Sequence, residues 1–238
     1  MKLSRLALTI AVVAALVLLL AGPGTRLGLW DFRTGFAMMR WAVFIGLGGA
    51  ALAIVMLLVP SMRRTQARAL AIALVLGLLV AFIPWNAMRG AKQVPPIHDI
   101  STDTANPPAF VAILPLRADA PNPASYGGPE IAEQQITAYP DLRSHTTQVP
   151  APQAFEQALA AARAMGWQIV ASDPASGRIE ASDTTRWFGF IDDVVIRVQA
   201  EGAGSRIDVR SVSRVGKSDA GANARRIRAY LAALARLG

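Results

Sequence analysis

The sequence predicts an α+β protein in which three N-terminal transmembrane helices precede a soluble domain with an antiparallel sheet of about four strands and flanking helices. Three observations support this prediction: long apolar runs in the first third of the chain, prolines concentrated in the middle, and helical and alternating patterns towards the C terminus. We expect a membrane domain over residues 1–88, a linker over 89–96 and a soluble domain over 97–238, Pro-rich in its first half.

The membrane domain is predicted from three apolar runs, which we expect to form helices at about residues 6–22, 41–59 and 69–87. Each run approaches the ~20 residues that a helix needs to cross a bilayer. The first run is also compatible with a cleaved signal peptide. However, Leu19 stands where a small residue should precede Ala21, and this favours a retained helix.

The basic residues near the membrane indicate how the helices are oriented. Pro60 is expected to end the second helix, and Arg63, Arg64 and Arg68 crowd the short loop before the third. Such basic clusters mark cytoplasmic loops, so three spans place the C-terminal domain on the opposite side. We therefore expect a multi-pass protein of the inner (cell) membrane with a periplasmic or otherwise extracytoplasmic domain, and with the lipid bilayer as a partner.

Composition excludes several classes of function. Residues 1–97 carry ten Lys/Arg and one acidic residue, whereas residues 98–238 carry fourteen and fifteen, so the net charge of +8 comes from the membrane-flanking segments. Binding of nucleic acid needs a cationic face on the folded domain and is therefore not expected. The chain has no cysteine and two histidines, which excludes thiol catalysis, disulfides and a His-rich metal site, and we expect no cofactor.

The soluble domain begins with a segment rich in proline, since eleven of the fifteen prolines fall between residues 95 and 152. This density prevents long helices and central strands. Within it, residues 97–103 alternate between apolar and polar side chains, as an edge strand would. Residues 128–136 favour a short helix with Pro129 in its first turn. The rest is expected to be ordered coil that wraps a domain, or a loose tether.

After this segment, the periodicity predicts a helix, four strands and a second helix. Apolar residues recur at helical spacing from Phe155 to Met165 and again from Ile227 to Leu237. A short Gly-containing turn is expected between the last two strands. The four strands are predicted at residues 167–172, 178–182, 190–198 and 206–214.

The last two strands present one charged face. Alternation places Asp193 and Arg197 across from Asp208 and Arg210, whereas Asp192 points the other way. This face is either a polar floor for an anionic or sugar ligand, or a cross-strand ladder of ion pairs on a solvated or half-covered sheet. The candidate ligand-binding residues are Asp193, Arg197, Asp208, Arg210, Arg214 and Lys217.

The final helix carries further polar residues for which a structural role is expected. Ser218 or Asp219 should cap its N terminus. Arg225, Arg226 and Arg228 are expected on its solvated face or in contact with lipid headgroups.

The soluble domain contains a series of short motifs: residues 97–103, Asn106-Pro107-Pro108, Phe110, Gly166-Trp167, residues 190–194 and 206–216, Asp219, Gly221, Asn223 and Arg226-Ile227. Together these motifs resemble the family known as domain of unknown function 1499. The resemblance covers about residues 97–238 and does not extend into the membrane segment. It implies a bacterial envelope protein, but it implies no catalytic residue because the family has no established activity.

These features lead to two hypotheses for function. The first is a non-enzymatic binding or structural domain held at the membrane surface, with an envelope protein or a small anionic ligand as its partner. The alternative is a hydrolase that acts on an envelope substrate at the charged face, with Asp193 and Asp208 as paired carboxylates. Arg197 and Arg210 would hold both acids ionised, which does not suit a general acid, so we assign no catalytic residue and no metal ligand.

Overall fold

The structure, a computed structural model, describes residues 3–237 of the chain. The chain divides into two compact units. The first unit comprises Met1–Gly90 together with Arg186–Gly189, and the second comprises Ala91–Thr185 together with Phe190–Gly238. Each unit is described by itself below.

The first unit contains three long helices, α1 (Leu3–Arg26), α2 (Phe32–Leu57) and α3 (Pro60–Ala91). All three are long and apolar enough to cross a membrane. Each begins before the apolar run that predicted it, because helical structure includes the polar residues that precede the run. At the start of α2, Asp31 accepts a hydrogen bond from the Thr34 amide.

The boundary between the second and third helices differs from the prediction. Pro60 begins α3 instead of ending α2, because a proline in the first turn gives up no hydrogen bond that the helix needs. Arg63, Arg64 and Arg68 consequently lie in the first turns of α3 and not in a loop.

Small residues allow α2 and α3 to pack closely. A methyl group added at Gly77 would lie 2.3 Å from the carbonyl oxygen of Gly46, and one added at Gly46 would lie 3.1 Å from that of Gly77. Apolar lipid provides little hydrophobic force between helices, so close contact between backbones is a main source of their association.

The second unit is built on one antiparallel sheet of six strands within the described residues. The strands are β1 (Asp99–Ser101), β2 (His145–Thr147), β3 (Gln168–Asp173), β4 (Arg178–Thr184), β5 (Ile191–Glu201) and β6 (Gly204–Ser213). Their order is β1-β6-β5-β4-β3, and β2 also pairs with β6. The predicted α+β class is confirmed, and the four predicted strands correspond to β3–β6. The sequence did not reveal β2, because three residues are too few to show a period.

Two of the helices in this unit cover one face of the sheet. Phe155 and Leu159 of α5 (Ala151–Ala164) pack with Ile227 and Tyr230 of α6 (Ala222–Leu234) over the apolar side chains of β5 and β6. The rings of Trp167 and Tyr230 stack with their centroids 5.2 Å apart. Burial of such side chains stabilises the fold by about 1.5–3 kcal/mol each. The helices are α4 (Pro129–Ala138), α5 (Ala151–Ala164) and α6 (Ala222–Leu234), with a short 3-10 helix at Leu114–Arg117.

The Pro-rich segment covers the opposite face of the sheet. Phe110 and Ile113 form a small apolar cluster with Val195 of β5 and Val212 of β6. The segment is therefore ordered coil that wraps the domain, as one of the two interpretations of the sequence expected. Because both faces are covered, the consecutive residues of β5 from Asp192 to Ile196 are all buried, whichever side they point to.

Gly177 fixes the turn between β3 and β4. Its φ of 66° is left-handed, and its carbonyl oxygen accepts a hydrogen bond of 2.7 Å from the Val198 amide. A methyl group at Gly177 would lie 2.1 Å from the Val198 carbonyl oxygen. Gly202, in the turn between β5 and β6, has a similar φ of 59° but open space around its α-carbon.

These two glycines provide a matched pair of substitutions. Gly202→Ala should lower the free energy of unfolding by about 1–2 kcal/mol, which is the cost of a left-handed backbone conformation for a residue with a side chain. Gly177→Ala should lower it by clearly more, because the added methyl also collides with β5. Chemical denaturation of the full chain in detergent would measure both losses, and equal losses would contradict the close approach at Gly177.

Candidate functional site

Five of the six candidate ligand-binding residues lie together on the face of β5 and β6 that the Pro-rich segment covers. In the strand register Arg197 pairs with Asp208, and Val195 pairs with Arg210. Asp193 and Asp208 are completely buried, and Arg210 is 2% exposed. The cross-strand ion pair of the ladder interpretation is present between Arg197 and Asp208, but this face is covered and not solvated. We call the buried polar groups between the sheet and residues 99–126 the charged layer.

Asp193 lies at the centre of the first cluster in the charged layer. Arg117, from the 3-10 helix, donates to its Oδ2 atom at 2.6 Å, and Arg214 donates to both carboxylate oxygens at 2.8 and 2.9 Å. The Ser182 hydroxyl donates to Oδ1 at 2.7 Å. Burial alone would raise the pKa of Asp193, but the hydrogen bonds from Arg214, Ser182 and Arg117 outweigh it and lower the pKa below its ordinary value.

Asp208 forms a second cluster in which two arginines are shared between two acids. Arg197 donates to Asp208 at 2.7 Å and to Asp103 at 2.9 Å. Arg206 donates to the same two carboxylates at 3.3 and 2.7 Å. The Ser144 hydroxyl supplies one more hydrogen bond to Asp208. The strands thus contribute the arginines, and the covering segment contributes Asp103.

Arg210 forms the third cluster with a bidentate ion pair to Asp99, at 2.9 and 2.8 Å. Its guanidinium also donates to the Pro108 carbonyl at 3.1 Å and lies over the rings of Phe110 and Tyr126. Burial raises the pKa of Asp99 despite the opposing effect of Arg210. Burial, reinforced by Asp99, raises the pKa of Tyr126 to about 12, so its hydroxyl stays protonated near neutral pH.

Glu180 of β4 is a member of the charged layer that the sequence analysis missed. Its carboxylate accepts hydrogen bonds of 2.9–3.1 Å from the backbone amides of Val111, Ala112 and Ile113, and one of 2.9 Å from Arg178. The sequence contained a signal for the role of Glu180. Strand alternation places its acidic side chain on the face of the sheet where the neighbouring side chains of β5 are buried. The Glu180 carboxylate therefore fixes the covering segment to the sheet.

The opposite face of the sheet also contains a buried ion pair. Asp192 points away from Asp193, as alternation predicted, and its Oδ2 atom accepts a hydrogen bond of 2.6 Å from Arg226 of α6. Arg226 also donates to Asp183 at 2.8 Å and is 8% exposed. The expectation that Arg226 lies on the solvated face of the last helix was therefore wrong, because it joins α6 to β4 and β5.

The loop before α6 holds the remaining candidate residue. The side chain of Lys217 is exposed and lies outside the charged layer. The helix begins after Gly221, and the Asp219 carboxylate accepts hydrogen bonds from the amides of Gly221 and Asn223 at 2.7 and 2.8 Å. Asp219 thus satisfies amides at the helix start as expected, although it lies two residues before the N-cap position.

The charged layer has the chemistry of a scaffold. Its carboxylates are hydrogen-bonded to arginines and held between the sheet and the covering segment, away from bulk water. Among residues 3–237, no group of three His, Cys, Asp or Glu side chains is placed to hold a metal ion. An interior ion pair stabilises the structure only when its geometry is good and its remaining donors and acceptors are satisfied.

These features define a membrane-associated α+β protein whose sheet is covered on both faces. The family model described as "Protein of unknown function (DUF1499)" matches residues 99–234. The chain therefore belongs to this family. The match covers the sheet, its helices and the covering segment, but not the three long helices of the first unit, and this confirms the partial resemblance seen in the sequence. No curated protein matches the chain.

Asp193→Asn tests whether the charged layer holds the fold together. The substitution leaves Arg117 and Arg214 without their carboxylate, so we expect the free energy of unfolding to fall by about 3–5 kcal/mol. The matched control is Asp141→Asn, which breaks an exposed pair with Arg228 and should change the free energy of unfolding by at most about 1 kcal/mol. Chemical denaturation of the full chain in detergent would measure both.

The pH dependence distinguishes loss of the ion pairs from loss of packing. Because the pKa of Asp193 is lowered on folding, its contribution to stability is present above its unfolded pKa and is lost as the pH falls through the folded pKa. The difference between wild type and Asp193→Asn should therefore shrink below about pH 4. A difference that stays constant down to the folded pKa would contradict the ion-pair role.

Proposed function

We propose that this chain is a membrane-anchored protein of the cell envelope whose second unit binds a partner or ligand without catalysing a reaction. The proposal rests on the burial of Asp193, Asp208 and Glu180 and on their pairing with arginine. Each of these acids is completely buried and paired with arginine. They stabilise the fold, and none has the access to a substrate that a general acid or base needs.

A hydrolase acting on an envelope substrate at the same face is the alternative. It would require residues 99–126 to leave the sheet, which would break the ion pairs that Asp99, Asp103 and Arg117 make with the strands. Removing one partner from a buried pair leaves an uncompensated charge in the interior, so this opening is costly. The cost favours a role in which the outer surface of the domain binds while the charged layer stays closed.

Ligand binding without turnover is the expected outcome of a direct test. The full chain in detergent would be incubated with panels of sugar phosphates, peptides and lipids. We expect a saturable rise in the unfolding temperature with at least one class, because a ligand that binds the folded state stabilises it. Mass spectrometry should recover that ligand unchanged. Conversion that is lost in folded Asp208→Asn protein, and kept in Asp141→Asn, would support the hydrolase instead.

We also propose that the protein lies in the inner membrane with its second unit outside the cytoplasm. The support is the basic cluster of Arg63, Arg64 and Arg68 at the start of α3, since basic residues are retained on the cytoplasmic side. The third helix would then lead the chain out of the cytoplasm.

Reporter fusions test the side of the membrane. Alkaline phosphatase, which is active only outside the cytoplasm, should be active when fused after Gly238, and a cytoplasm-only fluorescent reporter should be dark there. Fusions after Arg68, which retain the basic cluster, form the matched control and should give the reverse pattern. A fluorescent fusion after Gly238 would overturn the orientation.

A further inference from the structure

Two arginines stand side by side at the rim of the charged layer. Arg178 of β4 and Arg197 of β5 are direct partners in the strand register and lie on the same face of the sheet. Like charges that face each other across two strands repel, so such a pair needs compensation from nearby anions. Their side chains remain partly accessible, at 25% and 16% exposure.

Carboxylates fix each arginine through only part of its guanidinium. Arg178 uses Nε towards Glu180 and Nη2 towards Asp173, at 2.9 and 3.5 Å. Arg197 uses Nε and Nη2 towards Asp208, and Nη2 also reaches Asp103. Within residues 3–237, the Nη1 atom of each arginine makes no hydrogen bond, so each guanidinium keeps donors for a further acceptor.

Both arginines line the same open pocket, whose volume is about 260 Å³. Residues 106–109 of the covering segment and Val111 form the opposite wall, and Val195 and Ser176 complete it. The pocket is large enough for a tetrahedral oxyanion. Planar guanidinium groups are the usual partners of phosphate and carboxylate groups because their N–H donors match the spacing of the oxygens.

The wall and the arginines are held in place before any ligand arrives. Glu180 fixes Arg178 and at the same time binds the backbone amides of Val111, Ala112 and Ile113. Donors that are already oriented lose less freedom on binding. The neighbouring acids reduce the local positive field, so directed hydrogen bonds, and not net charge, have to provide most of the affinity.

We propose that this pocket binds a phosphoryl or sulfate group between Arg178 and Arg197. The proposal rests on the binding role given to the second unit above, and it names the chemical class of the ligand. Two charge-assisted hydrogen bonds correspond to half-saturation on the order of millimolar concentration for the free anion. A larger molecule that carries the group would bind more tightly through contacts with Pro107 and Val111.

The test is a titration of the full chain in detergent with inorganic phosphate at constant ionic strength. The unfolding temperature is measured at each phosphate concentration. Sodium chloride replaces phosphate in the reference series. Ala109→Glu places a carboxylate at the pocket wall from an exposed position and should raise the half-saturating phosphate concentration by about tenfold or more. The matched control, Ala160→Glu on the exposed side of α5, should bind phosphate like wild type.

A second variant removes donors instead of adding charge. Arg178→Gln leaves the buried Glu180 carboxylate with its backbone partners but without its cation, so it should lower the unfolding temperature in both salt series. Relative to its own sodium chloride series, its phosphate binding should weaken to a similar extent. Equal titrations for wild type, Ala109→Glu and Arg178→Gln, or a phosphate effect that sodium chloride reproduces, would overturn the site. Such a result would leave the binding role of the domain standing, whereas substrate turnover would overturn that role without affecting this titration.

The source of the group is distinguished by repeating the titration in lipid nanodiscs. If the ligand is a lipid headgroup, phosphate should bind more weakly in discs of phosphatidylglycerol than in a maltoside detergent, which carries no phosphate group, because the headgroup competes. If the ligand is a free anion, the two titrations should agree. Either result supports the site, provided that Ala109→Glu raises the half-saturating phosphate concentration both in the discs and in the detergent.

Discussion

The burial of paired charges between the sheet and residues 99–126 is the constraint on which the second unit depends. A carboxylate in an interior of low polarity is costly unless it is paired and hydrogen-bonded. Asp193 meets this condition through Arg117, Arg214 and Ser182. The constraint also fixes the register, because a shift of β6 by one residue would turn Asp208 and the arginine at 210 towards the apolar side chains of α5 and α6.

This constraint limits where function can lie. Residues at the centre of the layer, such as Arg210, have their donors committed to Asp99 and to backbone carbonyls. Arginines at its rim differ, because they are held by the same network and still face a pocket. A single arrangement thus supplies a rigid interior and a set of oriented donors at the surface, and Arg178 belongs to both.

A structural feature could be predicted from the sequence only when the pattern that indicates it is local in the chain. The opposite orientations of Asp192 and Asp193 follow from the two-residue period of a strand and could be predicted. The partners of the charged face could not, because Asp99 lies 111 residues from Arg210 and the Pro-rich segment has no period. Arg226 was misplaced for a similar reason, since its charge suggested water while its partner is in a distant strand.

The long separations between partners also have a consequence for how the chain folds. Residues 99–126 leave the ribosome well before the strands that they cover, and their ion pairs close loops of 76 to 111 residues. Contacts of such high order form slowly, because the entropy of loop closure is lost before any contact compensates for it. Until these contacts form, the acidic side chains and the arginine of the segment keep it hydrated. Its prolines reduce the number of backbone conformations that the unfolded segment can adopt.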